Sequence, residues 1–564
     1  MLRAFNTLYA EYEIIKNLKF KTTFSYDYTT VKGEKWYDPR TSNGEDENGE
    51  VVKRIREYKK MVWSNTLSYL TTFNNIHHLD FLAGYEIDDT YNDYLSGEAY
   101  NFTTPDKHAI SNGMKTVSVG GSDSRYRLVS YLSRLNYDYK NKYYLGASFR
   151  VDGSSRLHRD NRWGTFWSVS GAWRTIEEEF MQPVKDWLTD LRIRASYGVN
   201  GTLPSDYFGY MGLSSISGGY LEQPGIQMSQ IANPNLKWET NYNMNIGLDF
   251  GFWDRQNFTI EYYTRTTKNL LMDCPVSMTT GFSSYLMNIG EVKNKGIELT
   301  INSTNIKIKD FNWNTTFNLG HNSNKVVKLD GEQTQIVSGT QIHKVGSSYR
   351  TFYVQEFAGI NPETGNPLFY TNELDENGNY IKEITENSKN AQFIPYKHAE
   401  PTVNGGISNS LRYKWLDLNF LFSYQFGGYS YDTWAQKTEH GGYDSYANIP
   451  TYYRDSWKKP GDQTNIEVYM PGKSSSVSMH KITSSRRIHS TDYFRLKNIT
   501  FGITLPKEWT NKINIGNVRF YASASNLWTW AAYDNYDPEA VSAGSATQTT
   551  PPLKTVTFGL NINF

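Results

Sequence analysis

The sequence has a single cysteine, no net charge and no long hydrophobic run. Cys274 is the only cysteine among 564 residues, so an intramolecular disulfide is excluded. Lys and Arg total 58, and so do Asp and Glu, so charge gives no reason to expect nucleic acid as a partner. Mean hydropathy is −0.62, and no apolar run approaches the ~18 residues that a membrane helix needs. A helical membrane protein is therefore excluded, whereas a β-barrel is not.

Alternation of apolar and polar residues is the strongest pattern that is present. In the last stretch, 555–564, apolar side chains occupy every second position and the chain ends in Phe564. Similar alternation occurs around 129–139, 189–199, 297–301 and 416–425. Successive side chains of a strand point to opposite faces, so these stretches predict strands with one apolar and one polar face. Both a soluble sheet and a transmembrane barrel meet this description.

The lengths of the connections favour the barrel. Short turns are predicted at 16–17, 73–75, 140–142, 253–255, 413–415 and 506–512. They alternate with long polar stretches near 31–59, 90–125, 200–237, 427–487 and 527–551. Short periplasmic turns and long extracellular loops are typical of outer-membrane barrels, whereas a Greek-key sandwich has no reason to alternate in this way. We predict an all-β, transmembrane antiparallel β-barrel of roughly 17 strands, with 427–487 as a long extracellular loop.

Three local features are predicted within this frame. The region 323–400 contains several turn sequences and is interpreted as one large outer loop with local structure. A bulge near Asn498 would bring Phe494 and Ile499 onto one face. Thr175 and Glu178 have the spacing of a capping box, which predicts a small helix with Ile176 and Phe180 on one face.

Strand parity suggests that the barrel is incomplete. The short turn at 16–17 makes the first strand, about 2–15, run inward, whereas the first strand of a single-chain barrel with both ends in the periplasm runs outward. Residues 1–6 also lack the features of a signal peptide, so either the protein stays inside the cell or its start is missing. We therefore interpret 1–564 as the C-terminal part of a longer barrel.

Several motifs occur in an order that is known from one family. They are DGSSR at 152–156, RWG at 162–164, LRIRASYG at 191–198, NPNLKWE at 233–239, YFRLKNI at 493–499, NLW at 526–528 and DPE at 537–539. Each motif alone is weak, but the ordered series resembles the barrel of SusC/RagA-type TonB-dependent outer-membrane transporters over nearly the whole chain.

This resemblance implies a larger architecture than the chain itself. It implies a plugged barrel of about 22 strands, with an N-terminal plug domain and a TonB box, both of which are absent here together with roughly five strands. It also implies a SusD-like surface lipoprotein as a partner, contact with TonB through the missing N-terminal part, and surrounding outer-membrane lipid. The expected location is the outer membrane.

No pattern predicts an enzyme, a cofactor site or a metal site. His77 and His78 are adjacent in a predicted strand and would point to opposite faces, so they cannot share one metal ion. The sequence has no Gly-x-Ser-x-Gly elbow, and Cys274 precedes Pro275 in a predicted outer loop. No catalytic residue is assigned.

Aromatic residues in the longest loop are the candidate ligand contacts. Tyr429, Tyr431, Trp434, Tyr443 and Trp457 lie in 427–487. Their amphipathic rings could stack on sugar faces or contact the lipoprotein partner. The alternative is that they form a core of the loop itself, because an ordered loop of ~60 residues needs one.

The sequence therefore favours TonB-dependent uptake of a nutrient, an oligosaccharide or glycan, or else a peptide. Three alternatives are a passive porin-like channel, an inactive truncated fragment and a soluble glycan-binding β protein.

Overall fold

The computed structural model describes residues 1–220, 223–329, 334–442, 448–471, 482–513, 515–546 and 549–563. Phe564 and Tyr443, which were singled out from the sequence, lie outside these ranges. No helix of the described ranges is long and apolar enough to cross a membrane.

Strands dominate the described part of the chain. In chain order they are β1 (Leu2–Ile15), β2 (Leu18–Tyr37), β3 (Glu50–Phe73), β4 (His77–Phe102), β5 (Gly113–Tyr139), β6 (Tyr143–Ser154), β7 (Trp163–Trp173), β8 (Leu188–Thr202), β9 (Leu213–Tyr220), β10 (Gln223–Gln230), β11 (Glu239–Phe252), β12 (Gln256–Lys268), β13 (Leu271–Pro275), β14 (Ser284–Asn288), β15 (Glu291–Lys307), β16 (Phe311–Lys328), β17 (Gln335–Ser338), β18 (Gln341–Lys344), β19 (Thr351–Gln355), β20 (Phe357–Ile360), β21 (Pro367–Tyr370), β22 (Ile384–Thr385), β23 (Phe393–His398), β24 (Val403–Tyr413), β25 (Leu416–Phe426), β26 (Tyr429–Asp432), β27 (Ile488–Ser490), β28 (Tyr493–Thr504), β29 (Asn517–Ala531), β30 (Ser545–Ala546) and β31 (Thr555–Asn563).

Helices are few and short. The two α-helices are α1 (Thr433–Thr438) and α2 (Lys507–Thr510). The 3-10 helices are Ile110–Asn112, Thr175–Glu177, Glu179–Val184, Met278–Thr280, Ser388–Asn390, Thr451–Asp455, Ser485–Arg487, Asn511–Ile513 and Pro538–Ala540.

Seventeen strands of the described ranges belong to one antiparallel sheet, which confirms the predicted number. The chain divides into two compact units. Unit 1 comprises Met1–Trp173, Ala195–Met244 and Thr267–Ile289, and unit 2 comprises Arg174–Arg194, Asn245–Thr266 and Gly290–Phe564.

In unit 1, strands β1 to β7 pair in chain order. One face of this sheet exposes large apolar side chains and is called the apolar face; it includes Phe24, Trp63, Phe81, Tyr131 and Phe149. The opposite face is called the polar face. It carries polar and charged side chains that include Asp80, Asp88, Ser130, Arg134 and Arg150. The alternation predicted from the sequence therefore separates two chemically different faces.

In unit 2, strands β15, β16, β24, β25, β28, β29 and β31 pair in that order. The predicted bulge near Asn498 is confirmed, because the neighbouring residues Leu421 and Phe422 of β25 pair with Asn498 and Leu496, which leaves Lys497 as an extra residue of β28. Three smaller sheets belong to the same unit; they contain β17, β18, β19 and β23, then β20, β21 and β22, then β27, β26 and β30.

Five of the six predicted short turns are confirmed by their backbone, whereas 506–512 is not a short turn, because α2 and the 3-10 helix Asn511–Ile513 lie between β28 and β29. Asn17, Asn74, Lys140, Asp254 and Lys414 have φ values of 70°, 50°, 55°, 53° and 50°. Left-handed residues of this kind let two strands reverse within a few residues, and Asn tolerates the conformation better than most side chains.

Two predictions about connections are wrong. The strands continue far into the stretches predicted as loops: β4 and β5 have 26 and 27 residues, and only 103–112 connects them. Polar residues on both faces look like a loop in sequence, but two strands can remain paired where both faces meet water. The predicted capped helix near 175 is also wrong, because two 3-10 helices replace it and neither has a side-chain cap.

Candidate ligand-binding site in unit 2

Strand β26 brings distant loop segments of unit 2 together. It pairs in antiparallel fashion with β27 and in parallel with β30, and the Tyr431 N–H donates to the Gly544 carbonyl at 2.8 Å. Tyr431 is buried in a small apolar core with Phe352, Val354 and Ile488. This core fixes the residue that follows, Asp432, at the edge of a cavity.

Asp432 is a buried carboxylate with three donors. Its Oδ1 accepts the Ala435 N–H at 2.8 Å and so caps helix α1. Its Oδ2 accepts the Tyr533 hydroxyl at 3.0 Å and the Asn535 side-chain amide at 3.1 Å. Only 1% of the residue is exposed. These bonds offset the cost of burying the carboxylate and tie α1 to the segment after β29.

Aromatic rings next to Asp432 form a rigid wall. His489 and Tyr533 are stacked in parallel with centroids 3.7 Å apart, and Tyr536 meets Tyr533 edge-on at 5.2 Å. Burial lowers the pKa of His489 to about 4 and raises the pKa of Tyr536 to about 12. Both side chains are therefore neutral near pH 7. The Tyr536 hydroxyl also forms a hydrogen bond with Ser430.

A second polar group, the Glu439 cluster, lies within the same loops and consists of Glu439, Tyr452, Arg486 and Arg487. Glu439 forms an ion pair with Arg487 and accepts the Tyr452 hydroxyl, and Arg486 Nε lies 3.5 Å from its Oε2. Burial lowers the pKa of Arg487 and raises that of Tyr452 to about 12. The Glu439 cluster therefore joins the segments before and after 472–481 by a buried ion pair.

The cavity beside Asp432 has a volume of about 680 Å³. Its aromatic lining is Trp434, Trp530 and Tyr536, and its polar lining includes Asp432, Asp534 and Asn535. Trp434 and Trp530 are 37% and 48% exposed. Arg495 also lines the cavity and is held by Asp537 at 2.6 Å and by Glu539. Exposed rings beside carboxylate and amide groups are suited to ligands with an apolar face and several hydroxyl or amide groups.

The five predicted contact residues have different environments. Trp434 lines the cavity. Tyr431 is buried in the small core, and Lys397 Nζ lies over the Tyr429 ring at 5.3 Å. Trp457 donates its indole N–H to the Pro362 carbonyl at 2.7 Å, away from the residues that line the cavity. Tyr443 falls in a stretch that the structure does not describe.

Several lining residues were not selected from the sequence. Trp530 lies near the end of β29, Asp534, Asn535 and Tyr536 follow that strand, and Asp432 adjoins Tyr431. The only sequence signal for them was the neighbouring DPE motif at 537–539. Their role depends on the pairing of β26 with β30, which cannot be read from local periodicity.

The residues that the structure describes contain no group of three or more His, Cys, Asp or Glu side chains that could hold a metal ion.

Comparison with known proteins identifies the family. The model for "TonB dependent receptor-like, beta-barrel" matches residues 3–381. The chain therefore belongs to this family, whose barrels lie in outer membranes, and the predicted fold class is confirmed.

Similar proteins point to one branch of the family. The chain is 32% identical to "TonB-dependent receptor P3" of Formosa agariphila, and the match covers 99% of this chain and 57% of that protein. It is 29% identical to "TonB-dependent receptor SusC" of Bacteroides thetaiotaomicron, over 92% of this chain and 51% of that protein. A solved structure titled "Structure of the RagAB peptide transporter" matches with a TM-score of 0.89 and 26% identity, over 100% of this chain and 62% of that one. The predicted resemblance to SusC and RagA is thus confirmed, and the chain spans less than two thirds of the length of these relatives.

Proposed function

We propose that this chain is the C-terminal barrel part of a TonB-dependent transporter that takes up an oligosaccharide or a peptide across the outer membrane. The similarity to the RagAB peptide transporter carries the proposal, because it extends over 100% of the chain at a TM-score of 0.89. In this reading the apolar face of unit 1 contacts lipid and the polar face lines the lumen.

The cavity in unit 2 supports binding of a polymer fragment. Trp434 and Trp530 offer partly exposed rings, and Asp534 and Asn535 offer hydrogen-bonding groups, in about 680 Å³. Pyranose rings and peptide side chains both combine an apolar face with polar edges. A SusD-like surface lipoprotein and TonB are the proposed partners, the latter through a part of the transporter outside this chain.

Uptake by whole cells tests the proposal. Cells that carry the intact gene should deplete labelled oligosaccharides or oligopeptides from the medium, and deletion of the coding region for this chain should abolish depletion of at least one of these classes. Because the mechanism is energised, a protonophore should also abolish it. Depletion that survives the protonophore would indicate a passive channel, and depletion that survives the deletion would contradict the proposal.

A substitution of Trp434 tests whether the cavity binds the ligand. Trp434→Ala removes an exposed ring, and loss of one stacking contact of about 1 kcal/mol should weaken ligand binding roughly 5-fold. Trp457→Ala is the matched control, because Trp457 bonds to Pro362 and does not line the cavity. Binding is measured by calorimetry on purified protein. Equal affinities of the wild type and Trp434→Ala would contradict the proposal that the cavity binds the ligand.

A further inference from the structure

Two arginines lie at the border of the apolar face of unit 1. Along β5, Arg125 and Arg127 share a face with Val129, Tyr131 and Leu135, because alternate residues of a strand point the same way. On β4 the register pairs Asp89 with Arg127 and Ile87 with Val129. The face therefore changes from apolar to charged within one step along both strands.

The position of this border fits the edge of a membrane. Tyr139 ends β5 at the short turn, and Val129 lies 10 residues earlier. At ~3.4 Å per residue and a tilt of ~45°, this stretch spans about 24 Å, close to the ~25 Å height of the apolar band of outer-membrane barrels. Arg127 and Arg125 come next, on the side away from the short turn, at the level of lipid headgroups.

The hydrogen bonds of the two arginines leave much of each guanidinium unused. Arg125 donates from Nε and Nη2 to the Asp89 carboxylate at 2.7 and 2.5 Å, and Arg127 donates from Nε at 2.8 Å. A guanidinium has five N–H donors. The side chains of Arg125 and Arg127 are 53% and 58% exposed, whereas Asp89 is 11% exposed. One carboxylate thus accepts from two guanidinium groups, and these three side chains together carry a net charge of +1.

Aromatic side chains mark the same border. Trp163 of β7 stacks on Tyr131 with centroids 6.4 Å apart, and both rings are exposed on the apolar face. Gly153 permits this placement, since a Cβ there would lie 2.6 Å from the Trp163 ring. Trp and Tyr are enriched where a membrane meets water, so their position agrees with the level deduced from strand length.

We propose that Arg125 and Arg127 bind the phosphate of an outer-leaflet lipid headgroup through the N–H donors that Asp89 does not engage. Arginine forks match the geometry of phosphate oxygens and bind them through charge-assisted hydrogen bonds. Tyr131 and Trp163 would contact the upper part of the acyl chains. The inference rests on the proposed function, because it requires that unit 1 faces outer-membrane lipid.

Native mass spectrometry of the full-length protein, extracted from outer membranes in a mild detergent, tests the site. Wild-type protein should retain phosphate-bearing lipid, and Arg125→Gln combined with Arg127→Gln should retain about tenfold less. Arg134→Gln is the matched control, because Arg134 belongs to the same strand and is 51% exposed beside Asp80, but points to the polar face. It should retain lipid as the wild type does.

Asp89→Asn separates phosphate binding from a merely structural role. This variant keeps both guanidinium groups and removes the competing carboxylate, so lipid retention should be unchanged or higher. Loss of lipid in Asp89→Asn, unchanged retention in the double arginine variant, or binding of inorganic phosphate without bound lipid would each overturn the inference. Wild-type protein recovered from the outer membrane without lipid would overturn it alone, whereas absence of the protein from that membrane would overturn the proposed function as well.

Discussion

The sequence predicts the burial and pairing of side chains in the unit 2 loops only in part. Aromatic crowding in 427–487 suggested a core within that loop, but Tyr431 is buried with Phe352 and Ile488, which lie outside it. The same crowding could not distinguish Tyr431 from Trp434, since exposure depends on pairing with segments more than 100 residues away, such as Gly544. The sequence also does not predict the buried ion pair of Glu439 and Arg487, because charged residues are normally exposed to solvent.

Glu439→Gln should destabilise the loops of unit 2. The substitution leaves Arg487 buried without its anionic partner, which costs about 3 kcal/mol. Hydrogen exchange should show this at the Arg487 amide, which donates to the Ser484 carbonyl at 3.1 Å, as exchange at least 100-fold faster if local opening controls it. Glu363→Gln, at an exposed carboxylate in a turn of the same unit, should leave this rate unchanged. Equal rates in wild type and Glu439→Gln would contradict the assigned ion pair.

His489 should make these loops less stable in acid. Its pKa is about 4 in the folded protein and near 6.5 in an opened loop, so the opened state binds the extra proton between these values. Stability is therefore complete above about pH 6.5 and falls as the pH is lowered toward 4, by up to tenfold in the opening equilibrium per pH unit.

The charged groups near His489 are Asp432, Arg486 and Arg487. His489→Phe keeps a ring against Tyr533 but cannot titrate, so limited proteolysis of this variant should lose most of the acid sensitivity. Identical pH profiles for the variant and the wild type would contradict this assignment.

The sequence predicted which stretches form strands better than it predicted where those strands begin and end. Strand β1 has the predicted bounds, because alternation and a short turn define both of its ends. Strands β4 and β5 extend beyond their apolar stretch, where no alternation marks the pairing. The prediction of a capped helix near 175 was wrong for another reason. Pro183 lies inside the predicted helix, and Phe180 is exposed rather than packed beside Ile176.

The bulge in β28 should be essential for the register of the sheet. Deleting Lys497 would move residues 493–496 to opposite faces, which would bring Arg495, now paired with Asp537 and Glu539, to the apolar side. We expect strongly reduced yield of folded protein in a heat-modifiability assay on gels. Lys497→Ala keeps the bulge and removes only the ion pair with Glu539, so its yield should be nearly normal. A normal yield for the deletion would show that the bulge is dispensable.

For the whole molecule, the family was predictable from ordered motifs, whereas the cavity was not. The motifs at 152–156, 191–198 and 233–239 lie on or beside strands whose positions they specify, so they report the fold. Ligand-contacting residues lie in loops that vary with the cargo. The proposed substrate class therefore rests on the lining of the cavity, with Trp434 and Trp530 as its most exposed rings.

Cysteine labelling along β5 tests most directly whether the apolar face of unit 1 contacts lipid. Cys274 is buried and is the only cysteine, so a Cys274→Ser background permits single probes. In intact outer membranes, Tyr131→Cys and Leu135→Cys should react with a lipophilic maleimide, whereas Arg134→Cys and Asn136→Cys should react with a water-soluble one. Equal labelling of both sets by the water-soluble reagent would contradict a membrane-spanning sheet and the account of uptake built on it.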